Sequence, residues 1–231
     1  MKFYIISYNN GWLVQNAVDA LSKFNELEII IVDNASTGLR TMAVLDRFDT
    51  MGVCVIRLKE NFGHNVVFEI IKPTDEYYIV TDPDLELSNL PGDSIEKLLY
   101  VSKNTGALKV GLALKQEPHD FLEGIYFRGN TIATHEAVFW TQRVEKLLPL
   151  EAYYADIDTT FALYRPGNTG PQIRVAGEYC VRHLPWHKSW IDVTPREDLF
   201  EYLSKSNLGG VSTTTRLILQ YLHSLSFSVG D

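Results

Sequence analysis

The sequence predicts an α/β fold: a mostly parallel central sheet flanked by helices, followed by a C-terminal helical extension. Short segments rich in β-branched and aromatic residues alternate with amphipathic segments through the first half of the chain, the pattern of strands joined by crossover helices. The residues after each strand-like segment are polar, and in open α/β sheets ligands bind at such carboxyl ends. With 45% hydrophobic and 22% charged residues, 231 residues can bury an ordinary core. The reading is one domain over residues 1–190 and an extension over 191–231 packed on it.

Phe3–Ser7, Glu28–Asp33, Val53–Leu58 and Tyr77–Thr81 read as four strands. Between the first two, Leu13, Ala17, Ala20, Leu21 and Phe24 recur at helical spacing, so a helix is expected over Trp12–Phe24. A second is expected over Thr37–Thr50, with Ser36 or Thr37 as cap, and a short crossover over Gly63–Ile71, ended by Pro73. Pro91–Lys103 reads as a helix and Ala107–Leu114 as a strand. From His119 to Trp140 the pattern weakens, and a hairpin or wall is expected rather than a helix. Two helices, Arg196–Ser204 and Val211–Leu225, close the chain.

Composition excludes several classes. The net charge is −8 and the basic residues are scattered, which argues against a nucleic-acid partner. The apolar stretch Phe3–Ile6 is too short for a signal peptide, and no run approaches the roughly 20 apolar residues that span a bilayer. No transmembrane segment and a cytoplasmic location are therefore expected. Cys54 and Cys180 have no second Cys or His at metal-site spacing in the same loop and read as buried free thiols.

Four loops collect at the strand ends: Ser7-Tyr8-Asn9-Asn10, Asp33-Asn34-Ala35-Ser36, Lys59 to Asn65, and Asp82-Pro83-Asp84. Each alone would serve as an ordinary turn or cap. Four of them on one sheet edge suggest a jointly built site. The last loop is the most informative, because an apolar strand, Tyr77–Thr81, runs directly into two carboxylates two residues apart, which point the same way. Hard oxygen ligands at that spacing suit Mn²⁺ or Mg²⁺, whose shell substrate phosphate oxygens would complete. Asp82 as a turn cap beside Pro83 and Asp84 as a solvated carboxylate is the plainer alternative.

Taken in order, Ser7-Tyr8-Asn9, Asp33-Asn34-Ala35-Ser36, Asn61-Phe62-Gly63 and Asp82-Pro83-Asp84, with the second and last about fifty residues apart, resemble the GT-A fold glycosyltransferases, and within them the family-2 enzymes, over roughly residues 1–190. The resemblance implies transfer of a sugar from a nucleotide diphosphate sugar, a UDP-sugar foremost, to a glycan or lipid-linked saccharide acceptor, as in polysaccharide biosynthesis. It implies that Ser7, Tyr8 and Asp33 contact the nucleotide base, that Asn9 belongs to the same nucleotide-binding set, that Asp82 lies near the ribose, that Asp84 ligates the metal, and that the loop with Asn61, Gly63 and His64 helps hold the nucleoside. The chemistry agrees: a uracil N–H can donate to Asp33, and Tyr8 offers a stacking face. A helix cap is the alternative for Asp33.

Tyr179 to His187 contains Arg182-His183-Leu184-Pro185-Trp186, similar to the late histidine that supplies a further metal or pyrophosphate ligand in several GT-A enzymes. Arg182, His187 and Lys188 nearby would offset phosphate charge. Inverting transfer also needs a base for the acceptor hydroxyl. Family-2 enzymes place an acidic residue just before a helix, usually in a Glu-Asp pair, and this chain departs from that with Ala155-Asp156 and Ile157-Asp158. Asp158 is preferred and Asp156 second. Either could instead cap a helix starting near Thr159. Tyr126, Phe127, Phe139, Trp140 and Trp186 offer an acceptor platform, or are core.

Three alternatives stay open on the residues alone. A sugar nucleotidyltransferase would need a Gly-rich basic loop after the first strand, which Ser7 to Trp12 does not provide. A dinucleotide oxidoreductase would need G-x-G-x-x-G there. A domain that binds a nucleotide sugar or glycan without turning it over is the third.

Overall fold

The computed structural model describes residues 1–123, 130–158, 160–165, 170–204, 206–207, 210–211 and 213–227. In chain order it contains β1 (Lys2–Ser7), α1 (Gly11–Leu21), β2 (Glu28–Asp33), α2 (Leu39–Thr50), β3 (Cys54–Arg57), β4 (Tyr78–Thr81), α3 (Ser94–Thr105), β5 (Lys109–Leu112), α4 (Ile132–Ala137), β6 (Ala152–Tyr154), β7 (Ala162–Tyr164), β8 (Gln172–Val175), α5 (Lys188–Val193), α6 (Arg196–Leu203) and α7 (Thr213–Phe227). The third crossover is a short π-helix over Val67–Ile71.

β1 to β8 form one eight-stranded sheet in the order β3-β2-β1-β4-β7-β5-β8-β6. The ladders β1–β2, β1–β4, β2–β3 and β5–β8 are parallel, whereas β7 runs antiparallel to both β4 and β5, and β6 antiparallel to β8. The expected mixed α/β class, mostly parallel and flanked by helices, is what the chain adopts.

Alternation sorts the strands onto two faces. One carries Phe3, Ile5, Ile31, Ile79 and Leu163, covered by the apolar stripes of α1 (Leu13, Ala17, Leu21), α2 (Leu45, Phe48) and α3 (Ile95, Leu98). The other carries Tyr4, Ile6, Val32, Tyr78 and Val80, packed against Val66 and Val67 at the start of the π-helix and against Tyr164. Gly11 lets α1 start hard against α2: a Cβ there would lie 2.6 Å from the Thr41 Cα, and the Gly11 N–H instead reaches Thr41 Oγ1 at 2.9 Å.

Four expectations need correction. The described residues 160–165 hold no helix; Ala162–Tyr164 is a strand inserted between β4 and β5, because Phe161, Ala162 and Leu163 gain burial in the middle of the sheet. Tertiary packing of that kind overrides a weak local helix signal. Within 119–140, residues 132–137 do form a helix, with Thr131 Oγ1 accepting the Thr134 N–H as cap. Neither Ser36 nor Thr37 caps α2; its N-cap is Gly38. Cys54 is exposed and Cys180 half-buried, because Cys54 lies on the edge strand β3. Tyr126 and Phe127 lie outside the described residues. Among the described residues no helix is long and apolar enough to cross a membrane.

Candidate active site

The parallel strands bring the ends of β1, β2 and β4 side by side, with Ser7 in register with Asp33 and Ile5 with Thr81. The first two loops are laced together. Asn9, with φ of 48°, accepts the N–H groups of Thr37 and Gly38 at 2.8 and 2.9 Å on its side-chain oxygen, and its own N–H donates to Ser36 Oγ at 2.9 Å. Ser7 Oγ donates to Asn10 Oδ1 at 3.0 Å, which also accepts the Tyr8 N–H, and the Ser7 carbonyl accepts the Asn34 N–H at 2.8 Å. Ala35 sits at φ of 63°, in the left-handed region that costs a non-glycine residue roughly 1–2 kcal/mol.

Asp33 is buried beneath this turn and accepts Ser36 Oγ–H at 2.5 Å. Burial pushes its carboxyl above the usual range, opposed by the Ser36 hydrogen bonds and the charge of Arg57. Asn34 clamps the third loop: its Nδ2 donates to the Gly63 carbonyl at 2.9 Å and its Oδ1 accepts the Phe62 N–H at 3.2 Å. Asn61 Oδ1 accepts the Gly63 N–H at 2.8 Å, and Gly63 has φ of 76°. Tyr8 is half-buried and His64 exposed.

Beyond β4, Asp84, Leu85 and Glu86 lie antiparallel to Arg182, His183 and Leu184. Leu85 bridges His183, the Leu184 N–H reaches the Asp84 carbonyl at 2.9 Å, and the Glu86 N–H reaches the Arg182 carbonyl at 2.9 Å. This short ladder brings two residues distant in sequence into one place, with His183 Nε2 3.7 Å from Asp84 Oδ1. Asp84 is 9% exposed, and its Oδ1 is buried without a hydrogen-bond partner while Oδ2 accepts the Tyr202 hydroxyl at 3.2 Å. A buried carboxylate oxygen facing an imidazole nitrogen at that separation is a donor set of the kind Mn²⁺ or Mg²⁺ accepts. Asp82, half-buried, precedes it on the same tip.

The basic residues around His183 are paired with carboxylates. Arg182 Nε lies 2.8 Å from Glu117 Oε2, its Nη2 is bonded to Asp120, and its Nη1 lies 3.7 Å from Glu86. His187 is buried with Nδ1 3.1 Å from Asp120, and burial together with the Arg182 charge lowers its pKa to about 4. Glu117, Asp120 and His187 could hold an ion by spacing alone, but the guanidinium already rests on both carboxylates. Lys188 Nζ is 2.6 Å from Glu123. Trp186 is no open platform either; it is buried, with its ring 4.3 Å from that of His183.

The segment 156–158 crosses the sheet face. The Asp156 carbonyl accepts Arg174 Nε at 2.8 Å and the Ile157 carbonyl accepts Lys109 Nζ at 2.5 Å, while both acidic side chains are exposed. The charges of Asp82 and Asp158 both act on the Tyr164 phenol, whose pKa burial drives well above its ordinary value. Burial likewise lowers Lys109 to about 8 despite the charge of Asp158. A cavity of about 620 Å³ opens beside the tip, lined by Glu86, Gln116, Trp140, Glu151, Glu178 and Arg182 among others. Sequence reasoning passed over Asn10, Asn34 and Tyr202. Asn34 lies within a motif already singled out, whereas nothing marked Tyr202.

The sequence model of Glycosyl transferase family 2 matches residues 3–119, half of the chain. The chain belongs to glycosyltransferase family 2. The match contains the whole first sheet half and the Asp82-Pro83-Asp84 tip. Solved structures similar to it include the mannosyltransferase PcManGT from Pyrobaculum calidifontis in complex with GDP-Man and Mn²⁺, at 16% identity over 71% of this chain and 44% of that one, TM-score 0.44. S. aureus TarS 1-349 in complex with UDP-GlcNAc matches at 16% identity over 71% and 45%, TM-score 0.42. An active-site mutant of LgtC matches at 11% over 88% and 70%, TM-score 0.42. The chain thus spans less than half the length of the first two. None of the curated proteins compared matches it.

Proposed function

We propose that this glycosyltransferase moves a sugar from a nucleotide diphosphate sugar, a UDP-sugar foremost, to a saccharide acceptor with inversion, using a divalent cation held by Asp84 and His183 with Asp82 beside them. The observation that carries this is Asp84 Oδ1, buried, without a hydrogen-bond partner and 3.7 Å from His183 Nε2. Burying an uncompensated carboxylate oxygen is costly, and a cation removes the cost. When bound, the cation supplies positive charge against which a diphosphate leaves.

The other roles follow from the loops. Asp33, buried with the Ser36 side chain and N–H as its hydrogen-bond donors, keeps acceptor capacity for a base N–H. Tyr8 stacks on the base, and Ser7 and Asn9 hold the first two loops in the shape that receives it. Asn61, Gly63 and His64 line the nucleoside side, and Lys188 exchanges Glu123 for a phosphate oxygen. Asp158 is the base for the acceptor hydroxyl in preference to Asp156; both side chains are exposed. The acceptor enters by the cavity beside Glu86, where Trp140 offers a ring to a sugar face. Residues 1–190 form the transferase unit and 191–231 its C-terminal extension.

The test is thermal stabilisation by a panel of nucleotide sugars with and without Mn²⁺. A donor present at 100 times its Kd should stabilise by about 2.7 kcal/mol, and Asp84→Ala should abolish the Mn²⁺-dependent part. A wild-type protein whose melting point no nucleotide sugar moves, with or without Mn²⁺, rules the proposal out.

A further inference from the structure

The Asp84 carboxylate has two unlike oxygens. Oδ1 is buried without a hydrogen-bond partner on the His183 side, and Oδ2 accepts the hydroxyl of Tyr202, which comes from α6 118 residues later in the chain. Tyr202 is buried, its ring edge-on to Trp190 at 5.7 Å. A carboxylate on a two-torsion side chain can present either oxygen to a ligand unless something fixes it. Here the hydroxyl fixes it.

The helix that carries Tyr202 is itself locked in register. Asp198 holds Arg40 through two contacts of 2.8 Å, and Glu201 accepts the Arg40 N–H at 2.7 Å, the Thr41 N–H at 3.1 Å and the Thr41 hydroxyl at 2.7 Å. Adjacent residues of α6 therefore grip the start of α2 and the acidic tip. A helix pinned at one residue delivers the next to a defined position.

We infer that Tyr202 is a positioning residue: its hydroxyl turns Asp84 so that Oδ1 faces His183 and the cation. The inference rests on the cation reading given above. A tyrosine that merely filled the core would leave cation affinity untouched when its oxygen alone is removed. Outer hydrogen-bond partners that orient metal-binding carboxylates typically change affinity by about tenfold or more.

The experiment is a Mn²⁺ titration in the presence of UDP, read as free Mn²⁺ by electron paramagnetic resonance, on wild type, Tyr202→Phe, Leu199→Ala and Asp84→Ala, with melting in EDTA for each. Tyr202→Phe should weaken Mn²⁺ uptake about tenfold. Leu199→Ala, which loses buried packing in the same helix but keeps the hydroxyl, should bind Mn²⁺ as wild type does while melting lower. Wild-type affinity in Tyr202→Phe, or equal weakening in Tyr202→Phe and Leu199→Ala, overturns the inference and leaves the cation reading standing. Absence of Mn²⁺ uptake by the wild type overturns both.

Discussion

Glu201 Oε2 accepts the Thr41 hydroxyl at 2.7 Å and the Thr41 N–H at 3.1 Å, so a carboxylate from the late chain caps the first turn of an early helix. The α2 N-terminus has no capping side chain of its own. Its exposed amides and positive dipole end are satisfied from outside.

Glu201→Ala should therefore cost about 1–2 kcal/mol, a fall of roughly 3–6 °C in Tm. Chemical denaturation at neutral pH measures it. An unchanged midpoint would mean that water replaces the carboxylate without loss.

Asp33 should show opposed effects on stability and binding. Burial raises its folded pKa above 3.8, so the stability contributed by the protonated form is full below the unfolded carboxylate value and lost as pH rises through the folded one. At pH 7 the charge is a burden on the fold. Asp33→Asn should melt higher than wild type at pH 7 yet bind UDP at least about tenfold more weakly, the worth of one charged hydrogen bond. A variant that loses stability and keeps UDP affinity contradicts both halves.

His187 sets a limb of the acid response. The unfolded imidazole takes a proton near 6.5 while the folded one, buried and beside Arg182, resists until about pH 4. Between those values the unfolded chain binds more protons, so stability falls as pH drops from 6.5 towards 4. Asp120 and Glu117 face the same ring and favour its charged form, and they narrow the window. Denaturation at a series of pH values should give a flatter profile for His187→Gln. Parallel profiles would exclude His187 as a source of the slope.

Gly111 tests the base assignment from beneath. A Cβ there would meet the Phe161 carbonyl oxygen at 3.0 Å and two Ile157 side-chain carbons at 3.1 Å, so Gly111→Ala shifts the segment that carries Asp158 by a few tenths of an ångström. With Asp158 as base, kcat should drop about tenfold while the UDP Kd stays within about twofold, at a stability cost of roughly 1–2 kcal/mol. Equal losses in kcat and donor affinity would point away from Asp158.

What was legible in the sequence followed local rules. The four strands β1 to β4 announced themselves through β-branched runs ending in polar loops, and the Asp82-Pro83-Asp84 tip stood out because an apolar strand ran straight into it. The late half was harder, since β6, β7 and β8 are three or four residues long and take their identity from the strands beside them. Phe161-Ala162-Leu163, preceded by Asp158, imitates a capped helix and becomes a strand only because β4 and β5 leave a slot for it. Arg182 looked like a phosphate partner because Glu117 and Asp120 approach it only in three dimensions. Tyr202 carried no local mark at all.

The place of β7 bears on how the chain is made. β4 and β5 never touch through a ladder; β7 stands between them and bonds to both. A ribosome that has released the chain as far as residue 119, where the family match ends, has therefore synthesised an incomplete sheet with one strand unattached, and roughly 2–9 s of elongation pass before Tyr164 emerges. Until then β4 and β5 each lack the neighbour that covers one edge, and unpaired strand edges of this kind are where incomplete sheets aggregate.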